Sequence, residues 1–266
     1  MALEIERRKS TKAILREALA VHRGNTKNQA VVAAIEELCN FNPTPAPARC
    51  GSLLEDEWLL ISSPNFSQGK QREDGKFVYT LGRLAFNMFQ PASLQVVIDR
   101  VLQPVLPLGN SAERSHDIVV KFTIADDRFP PLAGVVRNLG VCQPIQDTVL
   151  QVKFTGGILA PQDPAQMAAW KAVFGQQSQR SRNWREKLTS GAFALVFGLV
   201  PPQEIDSHTG EVSFTMHRSP KGSLEILYLD EELRITRGNR GTVLVCERQQ
   251  LASQKTNFTS SLDRNS

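Results

Sequence analysis

The chain has 266 residues, of which 41% are hydrophobic and 22% are charged. This is ordinary globular composition, and a chain of this length buries a core without disulfide or metal staples. The net charge is +4, and the basic residues form no dense stripe of the kind that holds a phosphate backbone. Nucleic acid is therefore excluded as a predicted partner, whereas an anionic membrane surface is weakly favoured.

Two helices are predicted at the N-terminus. Ser10 or Thr11 is a candidate cap for the first helix, and the second runs from about Lys27 to Asn40 with apolar residues at i, i+3, i+4 and i+7. Prolines at every second position from Pro43 to Pro47 then forbid a helix and favour an extended linker. Residues 1–48 are predicted to form an N-terminal helical segment with a proline-rich linker.

Beyond the linker, the hydrophobic pattern changes from helical spacing to alternation. The stretch "FVYTLGRLAFNMF" places apolar residues on one face up to Leu81, and a second run continues through Leu84, Phe86 and Met88. About ten short strands with turn signals between them predict an antiparallel sandwich or barrel. We assign this mainly β domain to residues 49–249.

One insertion interrupts the strands at about residues 161–190. It contains a predicted helix from Pro164 to about Phe174, followed by an arginine-containing loop. The apolar stretch from Gly191 to Pro202 is about half the length required to cross a bilayer, and it is predicted to be a strand or a membrane-proximal wedge. The polar tail at residues 250–266 lacks periodicity and is expected to be disordered.

Catalytic chemistry finds little support in the sequence. There is neither a phosphate-binding loop nor a G-x-S-x-G elbow. His22, His116, His208 and His217 lie in turns or at strand ends, which predicts surface roles. The four cysteines lack zinc-site spacing, so no metal is predicted, and they are expected to be reduced.

Two groups of carboxylates are candidates for general acids or bases. Asp126 and Asp127 precede Arg128, while the acids from Asp230 to Glu232 precede Arg234. Ion pairing lowers a carboxyl pKa, whereas a general acid needs a raised one. The sequence therefore favours charged turns over catalysis, and we predict no catalytic residue and no enzymatic activity.

The apolar residues predicted to face inward are large and adaptable. They suit either a filled core or a flexible hydrophobic ligand, because methionine changes shape at low cost and each buried CH₂ contributes about 0.8 kcal/mol. The candidate lining residues are Phe77, Tyr79, Phe86, Met88, Phe122, Phe154, Phe214 and Met216.

The order of several motifs resembles the plastid lipid-associated protein family, also called PAP/fibrillin. The quoted pieces are "AAIEELCNFNPTPAP", "LLEDEWLLISS", "GRLAFNMFQP", "VKFTGGIL" and the closing "LEILYLDEELRITRGNRGTVLVCER". The resemblance covers roughly residues 11–248, and its closing signature is the most specific part. The signature residues are Trp58, Tyr228, Asp230, Arg234 and Arg237.

The resemblance implies a lipocalin-like antiparallel β-barrel with two N-terminal helices and one inserted helix. In lipocalins a glycine lies two residues before the opening tryptophan and a late arginine packs across that ring. Here Asp56 replaces the glycine before Trp58, and Arg234 or Arg237 is the candidate to stack on it. Such a cation–π contact contributes about 0.5–2 kcal/mol.

The function implied by the resemblance is non-enzymatic. We expect the protein to bind or shield a lipid or isoprenoid (carotenoid, prenylquinone or fatty acyl chain) and to have a role in photoprotection, with no other cofactor. The alternative is a scaffold or accessory protein for a prenylquinone-synthesis enzyme. The first residues contain no apolar signal region, and Glu4 and Glu6 are unlike a transit peptide. We therefore expect a cyanobacterial protein on the cytoplasmic face of the thylakoid or on lipid bodies, with plastid stroma or plastoglobules as the plant or algal equivalent.

Overall fold

The computed structural model describes residues 2–64, 69–109, 111–175, 199–200, 204–218 and 221–249. The predicted arginine-containing loop, most of the apolar stretch from Gly191 and the predicted disordered tail lie outside these residues. The helices are α1 Ala2–Val21, α2 Gln29–Asn40, α3 Gly51–Leu54, α4 Leu81–Leu84 and α5 Met167–Phe174, with 3-10 turns at Pro47–Arg49 and Pro164–Gln166.

All strand pairings are antiparallel. The strands are β1 Asp56–Leu60, β2 Lys70–Gln71, β3 Phe77–Thr80, β4 Gln95–Val105, β5 Arg114–Ser115, β6 Ile118–Ile124, β7 Ala133–Pro144, β8 Val149–Pro161, β9 Leu199–Val200, β10 Val212–Met216, β11 Gly222–Leu229, β12 Leu233–Gly238 and β13 Val243–Arg248. Pairing in the order β1-β4-β6-β7-β8-β11-β12-β13 and back to β1 closes an eight-stranded barrel. The lipocalin-like prediction is confirmed.

Along one edge, each of the long strands β4 and β8 pairs with two different strands in succession. The two ends of the barrel therefore differ. β4 pairs with β3 through Gln95–Val97 and with β1 through Leu102–Val105. β8 pairs with β11 near its start and with β10 near its end. At one end, β1 pairs with β4 and β11 pairs with β8, and the ring of strands is closed. At the other end, β3 pairs with β4 and β10 pairs with β8. No described strand connects β3 to β10.

A double glycine in β8 lets β10 approach closely. A Cβ at Gly156 would lie 2.3 Å from the backbone oxygen of Phe214, and one at Gly157 would lie 2.5 Å from the Phe214 ring. Any side chain at Gly156 would therefore require the backbone of β10 to move. This accounts physically for the "TGG" in the "VKFTGGIL" motif.

The two N-terminal helices pack on the outer face of the closing strands. Leu15 and Leu19 of α1 and Leu38 of α2 join Ile235 and Val245 in one buried cluster. The buried face of α2 follows the apolar repeat that predicted it, whereas α1 buries Leu15, Ala18 and Leu19 and leaves the apolar Ile14 and Val21 of its predicted face exposed. The cap prediction was wrong, because α1 begins at Ala2 and runs through Ser10. The residues from Ala2 to Ser10 add about two and a half mostly exposed turns that the apolar pattern did not mark.

The predicted strand through Leu84, Phe86 and Met88 is also wrong. The chain forms α4 and then an irregular loop, in which Phe86 and Asn87 have φ values of 53° and 58°. Leu84 and Met88 are buried, whereas Phe86 is 46% exposed. Because a strand needs neighbouring strands on its edges, alternation alone did not distinguish it from this loop.

Candidate functional site

The predicted lining residues gather around one end of the barrel. Tyr79, Met88, Phe122, Phe214 and Met216 are buried in a single cluster, and Phe77 and Phe154 pack against it half-buried. Phe86 lies outside this cluster, with its ring centroid 5.3 Å from that of Phe154. Seven of the eight candidates therefore meet in or against one apolar core, and the eighth contacts it from the surface.

We call the segment from Leu81 to Leu94 the plug. It contributes six buried side chains to this core: Leu81, Leu84, Ala85, Met88, Phe89 and Leu94. Its Phe89 is fully buried and packs edge-on against Phe214 at 5.4 Å between ring centroids. Asn138 of β7 holds the plug by donating from Nδ2 to the carbonyl of Leu84 at 2.8 Å. We call the barrel end at β3 and β10 the wide end, and it is occupied by the chain itself.

A pocket of about 170 Å³ opens where β4 passes from one partner to the other. β3 pairs with β4 up to Val97 and β1 pairs with it from Leu102, so neither covers residues 98–101. In the same stretch, the pairing of β4 with β6 has a register shift between Ile98 and Arg100. We call this opening the wall break. Its apolar lining residues are Leu60, Phe77, Ile98 and Val101, and its polar ones include Lys76, Asp99 and Arg100.

The apolar floor of the wall break belongs to the barrel core. Ile98 and Val101 are core members, and Leu60 and Phe77 pack against the same cluster. Lys76 lies on the rim, 3.8 Å from Asp99. An apolar group entering here would contact the core directly, while a polar head would remain among the charged side chains.

The size of the pocket limits what it can hold. Pockets that enclose a whole drug-sized ligand measure roughly 300–1,000 Å³, whereas an engineered cavity of about 150 Å³ holds benzene. A volume of 170 Å³ therefore suits one end of an acyl or prenyl chain. A complete carotenoid would require displacement of the plug.

At the closed end, Trp58 lies beneath two arginines. The guanidinium of Arg234 is 4.9 Å from the ring centroid of Trp58, which confirms the predicted stacking, and that of Arg248 is 4.8 Å away. Arg248 also donates to Asp56 at 2.7 Å. Arg237 does not reach Trp58 but pairs with Glu225 at the surface. Asp56, which departs from the lipocalin glycine, thus holds the second arginine.

Asp230 joins the closing turn to helix α1. Its carboxylate accepts from Lys12 at 2.9 Å, from Tyr228 at 2.6 Å and from the backbone amides of Glu232 and Leu233. Burial alone would raise the pKa of Asp230, but these hydrogen bonds outweigh it and lower the pKa. Asp230 is therefore ionised, and it stabilises the turn and its contact with α1.

The second acidic group behaves in the same way. The side-chain hydrogen bond from Arg128 lowers the pKa of Asp126 to about 2. The prediction that ion pairing with a neighbouring arginine lowers the carboxyl pKa is confirmed for Asp126, whereas the pKa of Asp230 is lowered by Tyr228 and Lys12 rather than by Arg234. Within the described ranges, no group of histidine, cysteine and carboxylate side chains has the geometry to hold a metal ion.

His116 corrects a sequence prediction. It is 5% exposed rather than on the surface, and burial lowers its pKa to about 3 with a further contribution from Arg234. Gln103 and Lys12 are likewise buried polar residues that the sequence did not single out. Asp56 in place of glycine was the one signal that pointed to a changed closed end.

Fold and site together define a lipocalin-like β-barrel whose wide end is filled with apolar side chains. The chain belongs to the PAP/fibrillin family, since the family model described as PAP_fibrillin matches residues 7–247. It is therefore a lipid-associated protein of a family found with plastids and lipid bodies. Comparison with curated proteins and with solved structures gave no match. In the part of the chain that the structure describes, each helix is too short or too polar to cross a bilayer.

Proposed function

We propose that this protein binds the end of an apolar lipid or isoprenoid chain at the wall break, without catalysing a reaction. The observation that carries the proposal is the wall-break pocket of about 170 Å³, whose floor is the barrel core. Each CH₂ buried there contributes about 0.8 kcal/mol, so binding needs no ion pair. The ligand class includes acyl chains, prenylquinones and carotenoids, each entering by one end.

The charged rim supports a peripheral position. Lys76 and Arg100 line the pocket beside its apolar residues, where they would meet lipid head groups while a chain end enters. The protein would act at a photosynthetic membrane or lipid-body surface and shield the bound molecule, with photoprotection as the physiological result. Thylakoids are the membrane expected in a cyanobacterium, and plastoglobules the lipid body expected in a plastid.

A pocket-filling substitution tests the proposal. Leu60→Trp places an indole in the wall break, whereas Leu59→Trp puts the same group on the opposite face of β1. Titration with a fluorescent acyl or prenyl probe should show at least tenfold weaker binding for Leu60→Trp, which corresponds to about two lost CH₂ contacts. Leu59→Trp should stay within twofold of wild type. Equal affinity in all three proteins would refute the wall break as the site.

The filled wide end favours a second candidate function. Phe89 and its neighbours occupy the space that a large ligand would need, which suits a scaffold or accessory protein for a prenylquinone-synthesis enzyme. Affinity capture from photosynthetic membranes separates the two. Stoichiometric recovery of such an enzyme with lipid-free protein would favour the scaffold, and recovery of bound lipid without it would favour the carrier.

A further inference from the structure

Two basic residues lie opposite each other on the outer surface of the barrel at the wall break. Arg100 of β4 is the direct register partner of Lys121 of β6, and Arg100 also lines the pocket. Val101 and Val120 form the next pair of the same register and are buried in the core, so side-chain alternation directs Arg100 and Lys121 outward. Like charges directly opposite each other destabilise an antiparallel pair of strands. The fold by itself therefore gains no stability from this pair of charges.

No carboxylate compensates these two charges in the part of the chain that the structure describes. Asp99 precedes Arg100, but its carboxylate accepts from Thr123 Oγ1 at 2.8 Å and lies 3.8 Å from the ammonium of Lys76. Neither Arg100 nor Lys121 has an ion-pair partner among the described residues. The rim of the wall break therefore carries three cations but one carboxylate.

Other basic residues of the barrel wall do not share this combination. The exposed Arg137 of β7 lies 3.3 Å from Asp117, and the exposed Arg237 of β12 lies 2.7 Å from Glu225. Lys153 of β8 and Lys221 next to β11 also lack ion-pair partners among the described residues, but they do not line the wall break. Uncompensated positive charge thus coincides with an opening into the apolar core at Arg100 and Lys121.

This combination matches the chemistry of an anionic lipid surface. Arginine and lysine place their aliphatic stems along apolar groups and keep their charged ends at the water interface. Head groups with a negative charge supply the absent countercharge, and each basic residue near such a surface strengthens binding about fivefold. Charge complementarity therefore favours an anionic surface over an uncharged one.

We propose that the wall break is the face by which this protein docks on a lipid surface that contains anionic head groups, with Arg100 and Lys121 binding those head groups. The inference rests on the proposed function, in which the pocket takes up a chain end. It deepens that function by naming the charge of the surface from which the chain comes.

The test measures binding of the full chain to vesicles of phosphatidylcholine alone and of phosphatidylcholine with about 30 mol% phosphatidylglycerol, at about 0.1 M salt. Wild type should bind the anionic vesicles at least tenfold more tightly, and added salt should reduce this preference. Arg100→Gln and Lys121→Gln should each weaken binding to the anionic vesicles about fivefold, and the double variant at least tenfold.

A matched control removes the same number of charges elsewhere on the barrel. Lys153→Gln/Lys221→Gln should bind the anionic vesicles within about twofold of wild type, because salt screens charges that lie far from the docked face. Arg100→Lys/Lys121→Arg keeps both charges and should bind as wild type does. Wild type that binds the two kinds of vesicle equally, or equal losses in the two glutamine double variants, would overturn the inference.

Urea melts show whether a loss of binding has a structural cause. Arg100→Gln/Lys121→Gln should be at least as stable as wild type, because the change removes a like-charge contact. If the double variant does not fold, the two single variants decide the question, and wild-type binding in both of them would overturn the inference.

Failure of this inference and failure of the proposed function give different results. Wild type that binds the fluorescent acyl or prenyl probe but does not distinguish the vesicles would refute the docking face and leave the pocket standing. A preference for anionic vesicles that depends on Arg100 and Lys121, together with wild-type probe affinity in Leu60→Trp, would refute the pocket and leave the docking face standing.

Discussion

At the residue scale, Asp230 links the charged turn between β11 and β12 to helix α1. Its carboxylate satisfies two backbone amides of the turn, the phenol of Tyr228 and the ammonium of Lys12 on α1. The side chains of Lys12 and Asp230 are 10% and 6% exposed, so the ion pair is largely shielded from water. The most distinctive part of the closing signature therefore serves the docking of a helix.

The first prediction concerns this pair. Asp230→Asn should lower the free energy of unfolding at pH 7 by about 2–4 kcal/mol, because Lys12 loses a buried countercharge and retains only the exposed Glu232. Glu225→Gln, which breaks the exposed pair with Arg237, should cost less than about 0.5 kcal/mol. Urea denaturation measures both. Equal losses would show that Asp230 is no more than a surface charge.

The second prediction concerns the pH dependence of stability and His116. Its pKa is about 3 in the folded protein against 6.5 when unfolded, so below pH 6.5 the unfolded state binds a proton that the folded state does not. The contribution of the neutral, buried His116 to the free energy of unfolding is therefore fully present above pH 6.5 and is lost progressively as the pH falls towards 3. Between pH 6 and 4, wild type should lose about 1.4 kcal/mol per pH unit more than His116→Leu does. Parallel curves in urea melts across this range would contradict the burial of a neutral His116.

At the residue scale, the sequence predicted contacts and pKa shifts that depend on one neighbouring residue or on the family pattern. It did not predict those that depend on several strands meeting in the folded barrel. Arg234 was matched to Trp58 by the family pattern, and the low pKa of Asp126 follows from Arg128 two positions away. Gln103 and Arg234 are 131 residues apart, and only barrel closure brings them together. The burial of His116 depends on the same closure, so its local turn-like context suggested a surface position.

At the scale of elements, periodicity predicted most helices and strands, because each buries one face against the barrel. The inserted helix is confirmed as the turn Pro164–Gln166 followed by α5. Alternation failed at residues 84–88, where Phe86 and Asn87 adopt left-handed backbone values that a strand does not allow. The hydrophobic pattern of a short segment does not show which strand edges are free to pair with it. The plug and the wall break depend on those pairings, so the sequence did not predict them.

The third prediction tests the packing of α1 on the outer face of the barrel. Leu15 is fully buried against the closing strands, whereas its neighbour Ile14 is 52% exposed. Leu15→Ala should lower the free energy of unfolding by about 2–5 kcal/mol through lost transfer energy and a cavity. Ile14→Ala should change it by less than about 0.5 kcal/mol. Similar values for the two variants in urea melts would mean that α1 does not dock as described.

At the scale of the whole molecule, the two ends of the barrel and the wall break in its side differ in structure. The closed end concentrates buried polar groups around Trp58, and the wide end is filled by the plug. At the wall break, the apolar core meets the surface through a pocket. A lipid-associated protein built in this way would take up chain ends from the side.

The most direct test of this account is mass spectrometry of the lipid fraction that remains with the protein purified under native conditions from a photosynthetic host. We expect about one acyl or isoprenoid molecule per wild-type chain and at least a tenfold loss in Leu60→Trp, with Leu59→Trp unchanged. Lipid-free wild-type protein, or equal lipid content in all three, would contradict binding through the wall break.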